Sequence, residues 1–189
     1  MHIPDLEARS DAELVRAFVD EDDRDCLEIL LKRHESKVYG LCYRVLGNRA
    51  DALEATQETF INVFRKMASF KHQAAFTTWL YRLATNACYD YSRKRSREPV
   101  AMERIDEPSE GDLGDDVSER LGIEAALSQL IPEQRLAVIL RDIGGLSYDE
   151  VASAMQVPVG TVKSRIARGR SALAGLLKSG GNRNGGASV

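Results

Sequence analysis

Apolar residues along this chain recur at intervals of three and four, and the alternation of two that marks a half-buried strand is almost absent. The pattern predicts an all-α protein. In the first half it predicts four helices, at about 11–20, 24–46, 50–68 and 77–95. Ser10 is placed to cap the first, and Glu13, three residues on, completes a capping box. Gly47-Asn48 ends the second, since both residues tolerate positive φ. Ala52, Ala55, Thr59, Val63 and Met67 share one side of the third helix; Trp79, Leu80, Leu83, Ala87 and Tyr91 share one side of the fourth. The second half holds a helix at about 119–130 and another at 132–143. Pro132 suits the first turn of the latter and Gly144-Gly145 stops it. Two more helices follow.

Residues 98–118, EPVAMERIDEPSEGDLGDDVS, break the pattern. Proline, glycine and acids mix there with few large apolar groups. Such a segment buries too little area to offset its chain entropy, so it is expected to be a flexible acidic linker. The tail SGGNRNGGASV, after Lys178, is expected to be disordered. The expected organisation is a tail at 1–10, a helical domain at 11–97, the linker at 98–118, a second helical domain at 119–178 and a tail at 179–189. Both domains are small, and the second is near the lower limit for a stable core.

Within the second domain the local signals predict a helix-turn-helix. Ser147-Tyr148-Asp149-Glu150 is a capping box that opens a short helix, and Val151, Ala152 and Met155 give it an inward face. Gln156-Val157-Pro158-Val159-Gly160 forms the turn, with Val157 as its buried pin. Thr161 to Leu176 is then a long basic helix. Val162, Ile166 and Leu173 face its predecessor, while Lys163, Arg165, Arg168 and Arg170 project elsewhere. A basic helix behind a first helix of small residues is the arrangement that enters a DNA major groove. Arg and Lys there serve both phosphate contact and guanine readout. The competing reading is a basic surface helix of an ordinary bundle. It leaves unexplained the turn chemistry and the lack of any acid after Glu150.

Charge sharpens the picture. The net charge is −3, but it divides into blocks: −7 over residues 1–28, +8 over 29–97, −8 over 98–124, −2 over 125–150 and +6 over 151–189. Two basic blocks separated by an acidic one suggest two distinct contacts with a polyanion. A pI of about 5.7 argues against unspecific nucleic-acid binding over the whole surface. With 29% charged residues and no run of ~18 apolar residues, no membrane insertion is expected. The start MHIPDLEARSD lacks the apolar stretch of a secretory signal, which favours a cytoplasmic location. Cys26, Cys42 and Cys88 lie far apart with no CxxC, and His2, His34 and His72 are scattered. No metal site or cofactor is expected, and the cysteines read as small buried hydrophobes in a reducing compartment. With no nucleophile–base pair or phosphate loop, an enzyme is not expected.

The first basic block has its own signature. In AAFTTWLYRLATNACYDYSRKRSR, Phe76, Trp79, Tyr81, Tyr89 and Tyr91 interleave with Arg82, Arg93, Lys94, Arg95 and Arg97. Aromatics stack on unpaired bases while cations follow the backbone. The polar loop Lys71-His72-Gln73-Ala74-Ala75 could hold a base drawn out of a duplex, and Asn86 could read its edge. Trp79 and Leu83 read more simply as core.

The spacing of several motifs resembles the extracytoplasmic-function (group IV) sigma factors of bacterial RNA polymerase. They are Asp51-Ala52-x-Glu54-x-Thr56-Gln57-Glu58-Thr59-Phe60, then Phe76-x-Thr78-Trp79-Leu80-Tyr81-Arg82-x-Ala84-x-Asn86. Leu130-x-Pro132-x-x-Arg135, Gly145-Leu146-Ser147-Tyr148-x-Glu150-x-Ala152 and Gly160-Thr161-Val162-Lys163-Ser164-Arg165 follow in order. The resemblance implies that 11–97 is sigma region 2 and 119–178 is sigma region 4, and that the protein initiates transcription at promoters, as in a stress response. It implies that Asp51, Glu54, Gln57, Glu58 and Phe60 bind core RNA polymerase at the coiled coil of its β′ subunit, with further contact to the β subunit. Lys71, His72, Gln73, Asn86, Arg93, Lys94 and Arg95 would recognise and help melt the −10 element. Thr161, Lys163, Ser164, Arg165, Arg168 and Arg170 would read the −35 element. An anti-sigma factor would hold the protein inactive. The chain departs from the family at Leu53, where an acid is usual, at Ala55, where a larger apolar residue is usual, and at Ala167, where some members carry an aromatic. The rival reading is an operator-binding helix-turn-helix regulator, which would need a dimer and a palindromic site.

Overall fold

The computed structural model describes residues 6–70, 75–95 and 115–181. These residues divide into two compact units, the first built on four helices and the second on another four. Among the described residues there is no strand.

The first unit comprises α1 (Asp11–Glu21), α2 (Arg24–Leu46), α3 (Arg49–Lys66) and α4 (Phe76–Arg95). The capping box expected at α1 is present: the Ser10 hydroxyl accepts the Glu13 N–H, and the Glu13 carboxylate accepts the Ser10 N–H at 2.7 Å. Asp22, at φ +52, ends α1 in the left-handed region, and its N–H reaches the Phe18 carbonyl. The Asp23 carboxylate then accepts the N–H groups of Asp25 and Cys26 at the start of α2. Gly47, at φ +72, turns the chain into α3 as expected. The helix predicted to run to 68 instead stops at Lys66 and tightens into a 3₁₀ turn, Met67–Ser69. There the Phe70 N–H closes on the Met67 carbonyl at 2.9 Å, which uses an acceptor that the helix end would leave orphaned.

α3 and α4 are the main packing pair, and their buried faces are rich in small residues: Ala52 and Ala55 on one, Ala84 and Ala87 on the other. Thr56 and Thr59 are buried as well, and each hydroxyl donates to the carbonyl four residues back, so neither is left unpaired. The three cysteines are buried free thiols. Cys42 of α2 and Cys88 of α4 are hydrogen-bonded to each other, and that bond together with burial pushes the Cys88 thiol far up. α1 is tied to α2 by a polar cluster. The Asp11 carboxylate meets the Arg33 guanidinium at 2.6 Å and the His34 Nε2 at 2.7 Å, and Arg33 also donates to the carbonyls of Glu7 and Arg9.

The second unit comprises α5 (Asp115–Ser128), α6 (Pro132–Val138), α7 (Tyr148–Met155) and α8 (Val159–Gly181). α5 starts four residues before its predicted beginning, inside the stretch expected to be linker; residues 96–114 lie outside the described part. The Arg135 guanidinium donates to the Leu130 carbonyl at 3.2 Å and to that of Ser128, which satisfies acceptors at the end of α5. The helix predicted over 132–143 is regular only to Val138. It widens into a π turn at Ile139–Ile143, closed by the Gly144 N–H on the Ile139 carbonyl at 2.8 Å. Leu136 to Leu140 are all buried, so this helix is covered on more than one side, and its unbroken apolar run carries no spacing that would disclose the bulge. α8 extends beyond both predicted ends, three residues of it lying in the expected tail.

α6 and α8 approach closely at Gly169. A Cβ there would stand 2.7 Å from the Val138 Cγ2 and 3.2 Å from the Gln134 carbonyl oxygen. In an open helix, replacing Gly by Ala would stabilise by ~0.5–1 kcal/mol. Here overpacking reverses the sign, and Gly169→Ala is expected to destabilise the second unit by about 1–3 kcal/mol in urea unfolding. The added Val138→Ala change should recover part of the loss. A gain in stability for Gly169→Ala alone contradicts the close approach.

The Asp11 cluster predicts an acid dependence. Burial raises the Asp11 pKa, but the hydrogen bonds from Arg33 and His34 outweigh it and hold the carboxyl below its usual value. The stability this group contributes is therefore complete above the ordinary carboxylate pKa of ~3.9 and is lost as pH falls through the depressed folded value. Asp11→Asn should unfold at lower urea than the native chain at pH 7, with the gap closing in the acid range. A gap that stays constant across that range contradicts the assignment.

Candidate nucleic-acid interface

The helix-turn-helix is formed by α7, the turn 156–158 and α8. The Ser147 hydroxyl accepts the Glu150 N–H at 3.3 Å, and the Glu150 carboxylate accepts the Ser147 N–H at 2.8 Å, which is the capping box expected from sequence. α7 ends at Gln156, held at φ +56, and the reversal this left-handed residue creates aims the chain into α8. The Pro158 carbonyl accepts the first amide bonds of α8, from Thr161 at 2.9 Å and Val162 at 3.1 Å. Val157, expected to be the buried pin of the turn, is only half-buried. The inward contacts come instead from Ala154 and Met155 on α7 and from Leu146 before it.

α8 buries Val162, Ile166 and Gly169 and half-buries Leu173. At 100° per residue the opposite ridge carries Gly160, Ser164, Ala167 and Ser171, all small and all exposed. The cations lie on the two flanks of that ridge: Lys163 and Arg170 on one side, Arg165 and Arg168 on the other. Small residues let a helix backbone come close to base edges, and flanking cations then reach the phosphates on either side. Thr161 is half-buried, and its carbonyl accepts the Ser164 hydroxyl at 2.8 Å.

The Lys163 flank is organised by residues that the sequence reading did not single out as contacts. The Arg141 guanidinium sits 4.8 Å from the centre of the Tyr148 ring and donates to the Leu146 carbonyl at 2.6 Å. The Lys163 ammonium lies 5.9 Å from the same ring. Tyr148 thus holds two cations beside the helix ridge. Arg170 is paired: its Nε donates to the Asp142 Oδ2 at 3.0 Å and its Nη2 to Oδ1, and this pairing raises the Arg170 pKa above an already high value. No local motif joins residues 28 positions apart, which is why this pair was not legible in sequence.

In the first unit, Asn86, Arg93 and Lys94 are exposed on α4. The side chain of Arg95, and Lys71, His72 and Gln73 altogether, lie outside the described residues. The expected row of base-stacking aromatics is corrected in part. Phe76 and Tyr81 are buried, at 6% exposure each, and burial pushes the Tyr81 hydroxyl up. Trp79 is half-buried, with its ring 5.1 Å from Phe70 and 5.9 Å from Phe76. The inward face of α4 is broad enough to take in these rings, so the cluster is mainly core. A cleft of about 630 Å³ opens between the start of α1 (Asp11, Ala12, Arg16) and Phe70, Phe76 and Thr77.

On α3, Glu54, Gln57 and Glu58 are exposed and Phe60 is half-buried, but Asp51 is turned inward, 8% exposed. Tyr91 of α4 hydrogen-bonds to Glu54 and Asp51. Its own burial and those carboxylates push its pKa up to about 12. Around Gln57 and Phe60 run Leu53, Ile61 and Phe64, exposed by 53%, 43% and 57%. The spacings of this second stripe fall on one face of the helix, a signal present in the sequence among the charged residues. A helix with one buried face and a second, exposed apolar face has surface left for a partner.

Among the described residues no cluster of His, Cys, Asp and Glu could hold a metal ion, and no helix is long and apolar enough to cross a membrane.

Comparison with known proteins agrees in both units. The family described as Sigma-70 region 2 matches residues 30–98, and Sigma-70, region 4 matches residues 120–173. The chain is 43% identical over 157 residues to the ECF RNA polymerase sigma factor SigE of Mycolicibacterium smegmatis, covering 78% of this chain and 60% of that longer protein. It is 32% identical over 184 residues to the RNA polymerase sigma-H factor of Pseudomonas aeruginosa, covering 89% of this chain and 94% of that one. Among solved structures it is similar to the sigma factor RpoE of Bartonella quintana in complex with the anti-sigma factor NepR. There the TM-score is 0.67 at 26% identity, over 80% of this chain and 96% of that one.

Proposed function

Since the chain belongs to the sigma-70 family and, within it, to the ECF RNA polymerase sigma factors, we propose that its two units divide promoter recognition between them while both are held on core RNA polymerase. The observation that carries this reading is α8, whose ridge of small residues is flanked by cations on both sides and presented by a complete helix-turn-helix. Thr161, Lys163, Ser164, Arg165, Arg168 and Arg170 engage the −35 element in double-stranded DNA. With Ala167 and Ser164 on the ridge, phosphate contacts from the flanks position the helix, and the longer flank side chains reach base edges.

The first unit takes the −10 element. Lys71, His72 and Gln73 meet it from the loop, Asn86 from α4, and Arg93, Lys94 and Arg95 from the end of that helix. The buried aromatics favour a mechanism in which one flipped base enters the cleft between the start of α1 and Phe70, Phe76 and Thr77 rather than one in which several bases stack along α4. The pocket then offsets the few kcal/mol needed to unstack each step, and the cations hold the separated strand.

α3 docks on core polymerase. Glu54, Gln57, Glu58 and Phe60 meet a coiled coil of the β′ subunit, and Leu53, Ile61 and Phe64 supply the apolar centre of that contact. Asp51 supports it from behind through Tyr91. The protein acts in the cytoplasm and carries no chemistry of its own, since the polymerase makes the RNA. The Bartonella relative was solved in complex with an anti-sigma factor, which supports an inhibitor protein that covers these faces of the present chain until it is released.

Reconstitution with core polymerase, followed by sequencing of the transcripts made on total bacterial DNA, tests the proposal. Initiation at discrete sites sharing two upstream motifs is expected. Binding of the chain alone to a palindromic site as a dimer, with no effect on initiation, would mark it as an operator-binding regulator instead.

Two substitutions separate the surfaces. Phe64→Asp should weaken the affinity for core polymerase by about tenfold or more, because it charges the centre of an apolar contact. The thermal unfolding midpoint should hardly move, since the residue is exposed. Arg168→Ala should weaken promoter binding by the holoenzyme by ~1–3 kcal/mol in a gel-shift titration if it reads a base, while leaving core binding unchanged. Equal losses in both assays from either change contradict the division of labour.

A further inference from the structure

One acid stands inside the cationic flank of α8. The π turn Ile139–Ile143 brings two consecutive side chains to that flank: Arg141 over the Tyr148 ring, and Asp142 onto Arg170. Asp142 takes the Nε and Nη2 edge of the Arg170 guanidinium with both of its carboxylate oxygens. A guanidinium fork accepts a carboxylate or a phosphate in the same two-point geometry. Asp142 therefore occupies the position that a DNA phosphate would take at Arg170. Both partners are partly exposed, Arg170 by 49% and Asp142 by 34%, so the pair is open to exchange. Lys163 and Arg141 share the flank and hold no carboxylate in any pair the structure records there.

We propose that Asp142 is an internal competitor for Arg170, a built-in stand-in for phosphate that lowers the affinity of the second unit for DNA. This rests on the reading of α8 as the −35 contact. When Arg170 turns to a phosphate, Asp142 loses its partner and faces an anion of its own sign. That penalty applies to every duplex, whatever its sequence. A free factor, with only the contacts of one small unit, binds DNA more weakly because of it. A factor held on polymerase has the remaining contacts close at hand and overcomes it.

The test is a titration of the full-length chain with mixed-sequence duplex DNA over a range of salt, repeated with the holoenzyme on a promoter found by transcript sequencing. An exposed ion pair is a modest competitor, so Asp142→Asn should tighten binding of the free chain by about two- to fivefold. It should also steepen the slope of log K against log salt by about one, because one more cation is free to displace a counterion. In an Arg170→Gln background the Asp142→Asn change should have a smaller effect, limited to relief of like-charge repulsion. Unchanged or weaker binding by Asp142→Asn overturns the proposal. So does a tightening that survives undiminished in the Arg170→Gln background, which would make Asp142 a general repulsive charge. If the wild-type holoenzyme fails to bind or initiate at any promoter, the initiation-factor reading fails first, which is a different result from a wild-type factor that initiates while Asp142→Asn behaves like it.

Discussion

The contact of α8 with α6 at Gly169 sets the aim of the cations along α8. Without a Cβ at that position the two helices approach until the Val138 side chain and the Gln134 backbone fill the space. Val162 and Ile166 are then carried into the core on one side of α8. Once that face is fixed, helical periodicity assigns the others: small residues to the outermost ridge, Lys163 and Arg170 to one flank, Arg165 and Arg168 to the other. A helix rotated by even one residue about its axis would bury a cation or expose an isoleucine. The geometry that suits a major groove is thus a by-product of how closely two backbones can pack.

Charge is managed by placement in a chain whose total is close to neutral. The acids that would weaken DNA binding are mostly far along the sequence from α8, and two of those nearest it have defined structural tasks. Glu150 closes a capping box and Asp142 pairs with Arg170. In the first unit the same logic holds for Asp51, which is turned inward, while Glu54 and Glu58 stay exposed beside an apolar stripe. On α8, by contrast, no acid interrupts the row, and Lys163, Arg168 and Arg170 are all exposed.

Local chemistry was legible in the sequence to the degree that its partners were near neighbours. Both capping boxes, the stop at Gly47, Pro132 in a first turn and the reversal before α8 each depend on a few adjacent residues, and each is present. Features that need two distant segments were not legible. Gly169 reads in sequence as a weak point in a helix, since its reason lies on α6. The Asp142–Arg170 pair spans a π turn that an unbroken apolar run conceals. The aromatics of α4 misled for a related reason: cations beside Phe76 and Tyr81 suggested a wet surface, whereas burial on a wide inward face decided their role. The stripe of Leu53, Ile61 and Phe64 was there to be read, but an apolar face is recognisable as spare only when another face is known to be the core.

The central claim is that two separate cationic modules contact one promoter at two places, with strand opening at only one of them. Footprinting of the holoenzyme on a promoter, with permanganate probing of unpaired thymines, addresses it in a single experiment. The account predicts two protected patches: an upstream one, lost in Arg168→Ala, that stays base-paired, and a downstream one with reactive thymines. A single symmetric patch made by the chain without polymerase, or protection with no unpaired bases at any temperature that supports transcription, would contradict it.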